Sequence, residues 1–178
     1  MSNPPALVLD LDHTLVHCHR DLVEGFDHFD VDLGQSGMHT VHVRPHALEF
    51  LTLLSQVDMS VVIWTAGTSN YALQVVEGLY RLIGEDDWQT HVCLLLTRKD
   101  TLVISPEVYV KDLEVVRRAL NTENVLLMDD NPVHERLPQN EKKILRVSPF
   151  RATNKGADKD DVLAILGDAL RKGLGLAR

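Results

Sequence analysis

Short apolar runs recur along the chain without the polar alternation of a half-exposed strand. Such runs are typical of strands that are buried on both faces of a parallel sheet. They lie at Ala6–Leu9, Ser60–Trp64, Val92–Leu96, Val125–Met128 and Ile144–Val147. Between them, apolar residues recur every three or four positions, which predicts helices after Pro45, Ser69 and Asp112 and from about Asp158 to Leu174. Strand and helix in alternation predict a three-layer α/β domain with a parallel sheet.

One segment departs from this alternation between the first and second predicted strands. Phe29, Val31 and Leu33 alternate with aspartates, residues 34–37 supply turn residues, and Val41 and Val43 resume the pattern. This pattern predicts a β-hairpin inserted after the first strand, within residues 18–43. The insertion is too small to form a large cap domain. The chain is therefore expected to be one domain over residues 1–178, with residues 1–5 as a flexible N terminus.

Composition narrows the class of protein. The 178 residues carry a formal net charge of −8, and 44% of them are apolar, which excludes a disordered chain. The acidic balance argues against nucleic acid as a partner, since such binding depends on Lys and Arg. Cys18 and Cys93 form no metal or redox motif, and no apolar run predicts a membrane span. We expect an intracellular, cytoplasmic protein, with a nuclear location left open.

Two carboxylates follow the first buried strand. Asp10 and Asp12 are two residues apart, so on an extended chain they project to the same side. At about 4 Å and an effective dielectric of about 20, two such charges repel by roughly 4 kcal/mol. One of them therefore takes a proton, or a cation lies between them. Either arrangement suits a nucleophile beside a proton donor, although a pair of turn-forming aspartates is the plain alternative.

Other polar residues follow the later strands. Thr65 follows the second predicted strand, and Lys111 precedes the third predicted helix. Asp129 and Asp130 follow the fourth predicted strand. Taken singly, each has an ordinary explanation as a cap, a solvated lysine or a turn. Ligands of open α/β sheets bind beyond the carboxyl ends of the strands, where these residues meet the two earlier aspartates. The set carries a net charge of −3 and only oxygen ligands, which suits Mg²⁺ and phosphoryl transfer through an aspartyl phosphate.

At these positions the sequence resembles the haloacid dehalogenase superfamily, whose phosphatases begin with Asp-x-Asp-x-Thr after the first strand. The match runs from Asp10 to Thr14. Further segments resemble the branch that contains the small RNA polymerase II C-terminal-domain phosphatases: Val43–His46, Glu49–Leu51, Trp64–Gly67, Tyr71–Ala72, Tyr109–Leu113 and Asp129–Pro132. The resemblance implies a Rossmann-like fold and a phosphatase.

The resemblance also implies roles for single residues. It makes Asp10 the nucleophile, and Asp12 the general acid that protonates the leaving oxygen and then the base that activates water. Thr65, Ala66 and Lys111 would hold the oxygens of the substrate phosphate.

A magnesium site is implied as well. Asp10, the backbone carbonyl of Asp12 and the side chain of Asp130 would bind Mg²⁺, while Asp129 would act through water or orient the ligands. Arg98 lies where relatives place an arginine that orients the substrate. His13 stands where many relatives have an acidic residue, and Asp130 where the small members often have Asn.

The residues and the resemblance leave three functions open. The first is a Mg²⁺-dependent phosphomonoesterase acting on phosphoserine or phosphothreonine in a protein segment, because the small insertion leaves the cleft open. The second is a small-molecule phosphatase of the same superfamily. The third is a noncatalytic scaffold domain, which the presence of Asp10, Asp12, Lys111 and Asp130 disfavours. No membrane partner is expected, and the oligomeric state is left open.

Overall fold

The computed structural model describes residues 3–176, which form ten strands and four α-helices. The strands are β1 Ala6–Leu9, β2 Val16–His19, β3 His28–Asp32, β4 Met38–Val43, β5 Ser60–Trp64, β6 Leu94–Leu96, β7 Leu102–Ser105, β8 Val108–Val110, β9 Val125–Asp129 and β10 Ile144–Arg146. The helices are α1 Ala47–Leu54, α2 Ser69–Leu82, α3 Glu114–Leu120 and α4 Val162–Gly173. None of these helices is long and apolar enough to cross a membrane.

A five-stranded parallel sheet forms the centre, in the order β10-β9-β1-β5-β6. In β1, Val8 pairs with Val62 of β5 and Leu127 of β9. Because all five strands are parallel, their carboxyl ends lie at one edge, and the loops after β1, β5 and β9 meet there. The predicted parallel α/β sheet is confirmed.

Side chains of the central strands alternate between two apolar cores. Leu7 and Leu9 pack into one core with residues of α1, α2 and α4. Val8 and Val62 pack into the other with Val116 of α3. This alternation of period two explains why strands buried on both faces read as continuous apolar runs. The domain therefore has three layers, as the sequence predicts.

The insertion after β1 is a three-stranded antiparallel sheet in the order β2-β4-β3. Strands β3 and β4 form the predicted hairpin, and β2 adds a strand that the sequence did not reveal. The sheet docks on α2 through Phe29, whose ring lies where a Cβ on Gly78 would come within 2.3 Å. Glycine at this position therefore permits the close approach. The insertion is small, and no large cap occurs within residues 3–176.

A second hairpin, β7–β8, was not predicted, and it ends directly before Lys111. Its first strand carries exposed apolar residues, such as Val103 at 63% exposure, so the period-two pattern of a half-buried strand is missing. The last helix differs from its prediction as well. It begins at Val162, later than about Asp158, after a separate short 3₁₀ helix at Ala157–Lys159, and its apolar residue Ile165 is 59% exposed.

The N terminus contacts the body of the domain. The Asn3 side chain donates hydrogen bonds to the carbonyls of Leu120 and Asn121, each at 3.0 Å. The carbonyl of Pro5 accepts a hydrogen bond of 2.9 Å from Ser60 N. Residues 1–2 lie outside the described part of the chain, so the flexibility expected for residues 1–5 stays a prediction.

Candidate active site

Asp10 lies directly beyond β1, at the carboxyl edge of the sheet, and is buried. Its backbone N–H donates to Met128 O of β9 at 3.1 Å, so the residue continues the strand geometry. The chain then turns sharply: Leu15 N and Val16 N both donate to Leu11 O, and His13 has a φ of 63°. Asp12 lies in this turn, close enough to Asp10 for its charge to raise the pKa of Asp10.

Lys111 joins two of the predicted acidic residues. Its Nζ lies 2.5 Å from Asp10 Oδ1 and 2.6 Å from Asp129 Oδ2, and the side chain is 1% exposed. Burial alone would lower the pKa of Lys111, but the two carboxylates outweigh burial and raise it. The ammonium is therefore charged and bridges residues that are 101 and 18 positions away in sequence.

Burial affects the acidic residues of the site differently. Desolvation raises the pKa of Asp10 despite Lys111, and the charges of Asp129 and Asp12 add to the increase. For Asp129, desolvation is outweighed by Lys111 and by the hydrogen bond from His134, so its pKa is lowered. Burial, followed by the charge of Asp129, raises the pKa of Asp130.

Three carboxylates form a cluster that fits a divalent cation. One oxygen each of Asp10, Asp129 and Asp130 lies within 4.8 Å of the others. All the donors are oxygens, the ligand type that Mg²⁺ prefers. Asp129 already accepts hydrogen bonds on both oxygens, from Asn131 N on Oδ1 and from Lys111 on Oδ2. Asp10 and Asp130 are thus the better direct ligands, and Asp129 is suited to act through water.

Asp12 is held by two hydroxyl groups. Tyr71 of α2 donates to Asp12 Oδ1 at 2.5 Å, and Thr65 Oγ1 donates to Oδ2 at 3.3 Å. The same Thr65 oxygen accepts a hydrogen bond of 2.9 Å from Gly67 N, which fixes its position at the end of β5. Tyr71 belongs to a motif of the resemblance, but no role was predicted for it.

Ala66 and Arg98 lie beside this group. Arg98 Nε donates to Ala66 O at 2.6 Å, and its guanidinium stacks over the Tyr109 ring at 4.9 Å from the centroid. Arg98 also lines a cavity of about 510 Å³ together with Asp12 and Tyr71. Arg98 and the predicted general acid therefore line the same cavity.

Two buried residues of the site went unnoticed in the sequence. His134 is 3% exposed and its Nε2 lies 3.1 Å from Asp129 Oδ2, while Asn140 is fully buried. Both follow β9 in a stretch of short 3₁₀ helices, at Pro132–Arg136 and Pro138–Asn140. A stretch of this kind has no periodic apolar pattern, so the burial of these polar residues leaves no signal in the sequence.

The chain is similar to known phosphatases in sequence and in fold. A family model for NLI interacting factor-like phosphatases matches residues 5–175. The fission yeast RNA polymerase II CTD phosphatase Fcp1 bound to beryllium fluoride superposes with a TM-score of 0.57 at 19% identity, covering 97% of this chain and 51% of that one. A second structure of Fcp1 gives a TM-score of 0.57 at 20% identity, with the same coverage. This chain thus spans about half the length of the Fcp1 chains.

A smaller relative has a similar fold. The putative 3-deoxy-D-manno-octulosonate 8-phosphate phosphatase from Vibrio cholerae superposes with a TM-score of 0.51 at 13% identity, covering 99% of this chain and 88% of that one. At such identities the structural likeness shows a shared fold, the haloacid dehalogenase-type Rossmann-like fold expected from the sequence. The family match rests on the sequence over nearly the whole chain. The chain belongs to the NLI interacting factor-like phosphatase family.

Proposed function

We propose that the protein is a Mg²⁺-dependent phosphomonoesterase that works through an aspartyl phosphate on Asp10. The observation that carries this proposal is the cluster of buried Asp10, Lys111 and Asp129 with half-buried Asp130, and Asp12 beside it. Membership of a phosphatase family supports the same reaction class. The free cysteines, Cys18 and Cys93, fit a reducing intracellular compartment.

The proposed reaction has two steps, formation of the aspartyl phosphate and its hydrolysis. The carboxylate of Asp10 attacks phosphorus, the bond from phosphorus to the ester oxygen breaks, and Asp12 gives its proton to the leaving alkoxide. Asp12 then takes a proton from water, the water oxygen attacks phosphorus, and the aspartyl bond breaks to release phosphate and regenerate Asp10. The hydrogen bonds from Tyr71 and Thr65 hold Asp12 in position for both transfers.

Positive charge at the phosphate has two sources. Lys111 supplies a fixed ammonium next to the nucleophile, where it stabilises the charge on the transferred group. Asp10, Asp130 and the backbone carbonyl of Asp12 would hold Mg²⁺, with Asp129 acting through water. When bound, the ion supplies a charge that keeps Asp10 ionised and screens the phosphate oxygens.

An extended protein segment is the substrate class that the surface fits best. Two cavities adjoin Ala66: one of about 510 Å³ beside Arg98 and one of about 440 Å³ lined by Tyr109 and Arg136. No large cap covers them within residues 3–176. A peptide carrying phosphoserine or phosphothreonine can therefore extend into either cavity, and Arg98 is placed to orient it. A small phosphomonoester would fill at most one of them.

Replacing the nucleophile tests the reaction. Asp10→Asn is expected to lower kcat for an aryl phosphate in Mg²⁺ by at least about a thousandfold, because the amide cannot form the aspartyl phosphate. Asp86→Asn, at an exposed loop position, is the matched control and should keep wild-type activity. Circular dichroism establishes that both variants are folded. Full turnover by folded Asp10→Asn would refute the nucleophile assignment.

A panel of phosphorylated substrates tests the proposed substrate class. Phosphoserine peptides of about ten residues should give higher kcat/KM than free phosphoserine or sugar phosphates, because only the peptide is long enough to contact both cavities beside Ala66. Equal kcat/KM for peptide and amino acid would favour the small-molecule phosphatase instead. Failure to hydrolyse any phosphomonoester, with an intact fold, would favour the scaffold function.

A further inference from the structure

Two buried polar side chains surround the backbone of Lys111, and the chemistry described above uses neither of them. They are His134, which is 3% exposed, and Asn140, which is fully buried. Buried polar groups are costly unless their hydrogen bonds are made, and those of these two residues converge on Lys111. Their arrangement therefore bears on how the lysine is placed.

The His134 ring connects Lys111 to Asp129. The backbone N–H of Lys111 donates to His134 Nδ1 at 3.1 Å, and His134 Nε2 lies 3.1 Å from Asp129 Oδ2. A backbone N–H can only donate, so Nδ1 has to be the acceptor and carries no proton. The ring is therefore neutral, with its proton on Nε2, which donates to the Asp129 carboxylate.

These contacts close into a ring of hydrogen bonds. Asp129 Oδ2, which accepts from His134, also accepts from Lys111 Nζ at 2.6 Å. The path thus runs from the Lys111 backbone through the imidazole and the carboxylate to the ammonium of the same lysine. A shift of the imidazole would move both the carboxylate and the main chain that carries the lysine.

Asn140 holds the remaining polar groups of this region. Its Nδ2 donates to Lys111 O at 2.8 Å and to His134 O at 2.9 Å, and its Oδ1 accepts from Leu113 N at 3.1 Å. Both the N–H and the carbonyl of Lys111 are thereby bound to buried side chains. The main chain at Lys111 is fixed even though the residue lies outside a helix or strand.

We propose that His134 is a positioning residue, which sets the Lys111 ammonium and the Asp129 carboxylate at their distances from Asp10. This role rests on the proposed phosphatase reaction, in which Lys111 stabilises charge on the transferred phosphoryl group. Such charge stabilisation depends on groups that are already in place before the reaction, and small displacements of a catalytic group cost large factors in rate.

Two substitutions separate positioning from packing. His134→Phe fills a similar space without either hydrogen bond, and His134→Gln keeps an N–H near the position of Nε2 that can donate to Asp129. We expect His134→Phe to lower kcat by about 10- to 100-fold, the range seen for residues that orient a site, with a smaller change in KM. His134→Gln should recover part of that loss. His28→Gln, at an exposed position, is the control for histidine replacement.

Two NMR measurements make the test independent of turnover. Long-range proton–nitrogen correlations of the wild-type ring should show His134 neutral with its proton on Nε2. The ammonium signal of Lys111, visible because the group is buried and hydrogen-bonded, should shift or broaden in His134→Phe and stay close to wild type in His28→Gln.

The outcomes distinguish the two proposals. An inactive wild-type protein would refute the phosphatase reaction, and the Lys111 signal would still decide the positioning role. A proton on Nδ1 of His134 in the wild type, or an unchanged Lys111 signal in His134→Phe, would overturn the positioning role. Folded His134→Phe with wild-type kcat would overturn it as well, because packing alone would then account for the residue.

Discussion

Removing the guanidinium of Arg44 is expected to destabilise the whole domain. The side chain is fully buried, and it forms paired hydrogen bonds to Asp160, from Nε at 2.9 Å and from Nη2 at 2.8 Å. It also donates to Thr14 O at 3.1 Å. One side chain at the end of the insertion thus connects the loop after the Asp-x-Asp motif with the segment before α4.

The size of the effect follows from this burial. Removing one partner of a buried ion pair costs about 3–5 kcal/mol. The Asp160 side chain is 17% exposed and regains some water, so Arg44→Met should cost about 3 kcal/mol, the lower end of that range. For a domain of this size about 2–4 °C are lost per kcal/mol, which gives a melting temperature lower by about 6–12 °C.

Thermal unfolding followed by tryptophan fluorescence measures this change, since Trp64 is fully buried and becomes exposed on unfolding. Arg20→Met, at an exposed position, is the control and should melt within about 2 °C of wild type. Arg44→Met combined with Asp160→Leu should recover part of the loss, because no charge is then left without its partner. Wild-type melting of Arg44→Met would refute the stabilising role of the pair.

Three further changes have directions that the structure fixes. Tyr71→Phe removes the hydrogen bond to Asp12, and hydrogen bonds to charged groups are worth about 1.5–3 kcal/mol. In steady-state assays kcat should therefore fall by about 10- to 100-fold. An unchanged kcat would contradict a role of Tyr71 in holding Asp12. Asp130→Ala should raise the Mg²⁺ concentration for half-maximal activity by at least about tenfold in a titration after chelator treatment, and an unchanged value would exclude Asp130 as a ligand. Burial and the nearby histidines lower the pKa of His17 from 6.5 to about 4, so the unfolded chain takes up this proton first. The contribution of neutral His17 to the free energy of unfolding is therefore fully present above pH 6.5 and is lost as the pH falls toward 4. The melting temperature of His17→Gln should depend less on pH in this window than that of the wild type.

The sequence predicts the central sheet and the position of the site because both depend on local pattern and topology. Strands buried on both faces read as apolar runs, and parallel strands bring their carboxyl ends to one edge. Asp10, Asp129 and Asp130 follow two such runs directly, and the structure places their carboxylates in one cluster. The positions of the strands along the chain were enough to predict that these carboxylates lie close together.

The residues that hold the site in place could not be found in this way. His134 and Asn140 lie in irregular backbone, and their partners are the main chain of Lys111 and the Asp129 carboxylate. Such pairings depend on how a loop folds over the end of the sheet, for which residue spacing gives no rule. The exposed apolar residues of β7 also give no period-two pattern, and α4 begins at Val162, later than its apolar spacing predicts.

The electrostatics around Asp10 explain why Lys111 alone would not complete the proposed phosphatase site. Lys111 lies 2.5 Å from Asp10 and shares its charge with Asp129, while burial still raises the pKa of Asp10. In the proposed reaction the Asp10 carboxylate attacks phosphorus only when it is ionised, so we expect it to depend on a further positive charge at neutral pH. Asp130 has a carboxylate oxygen within 4.8 Å of an Asp10 oxygen, where it would bind such a cation. In the proposed reaction, the burial of Asp10 therefore makes its ionisation, and with it turnover, dependent on the cation.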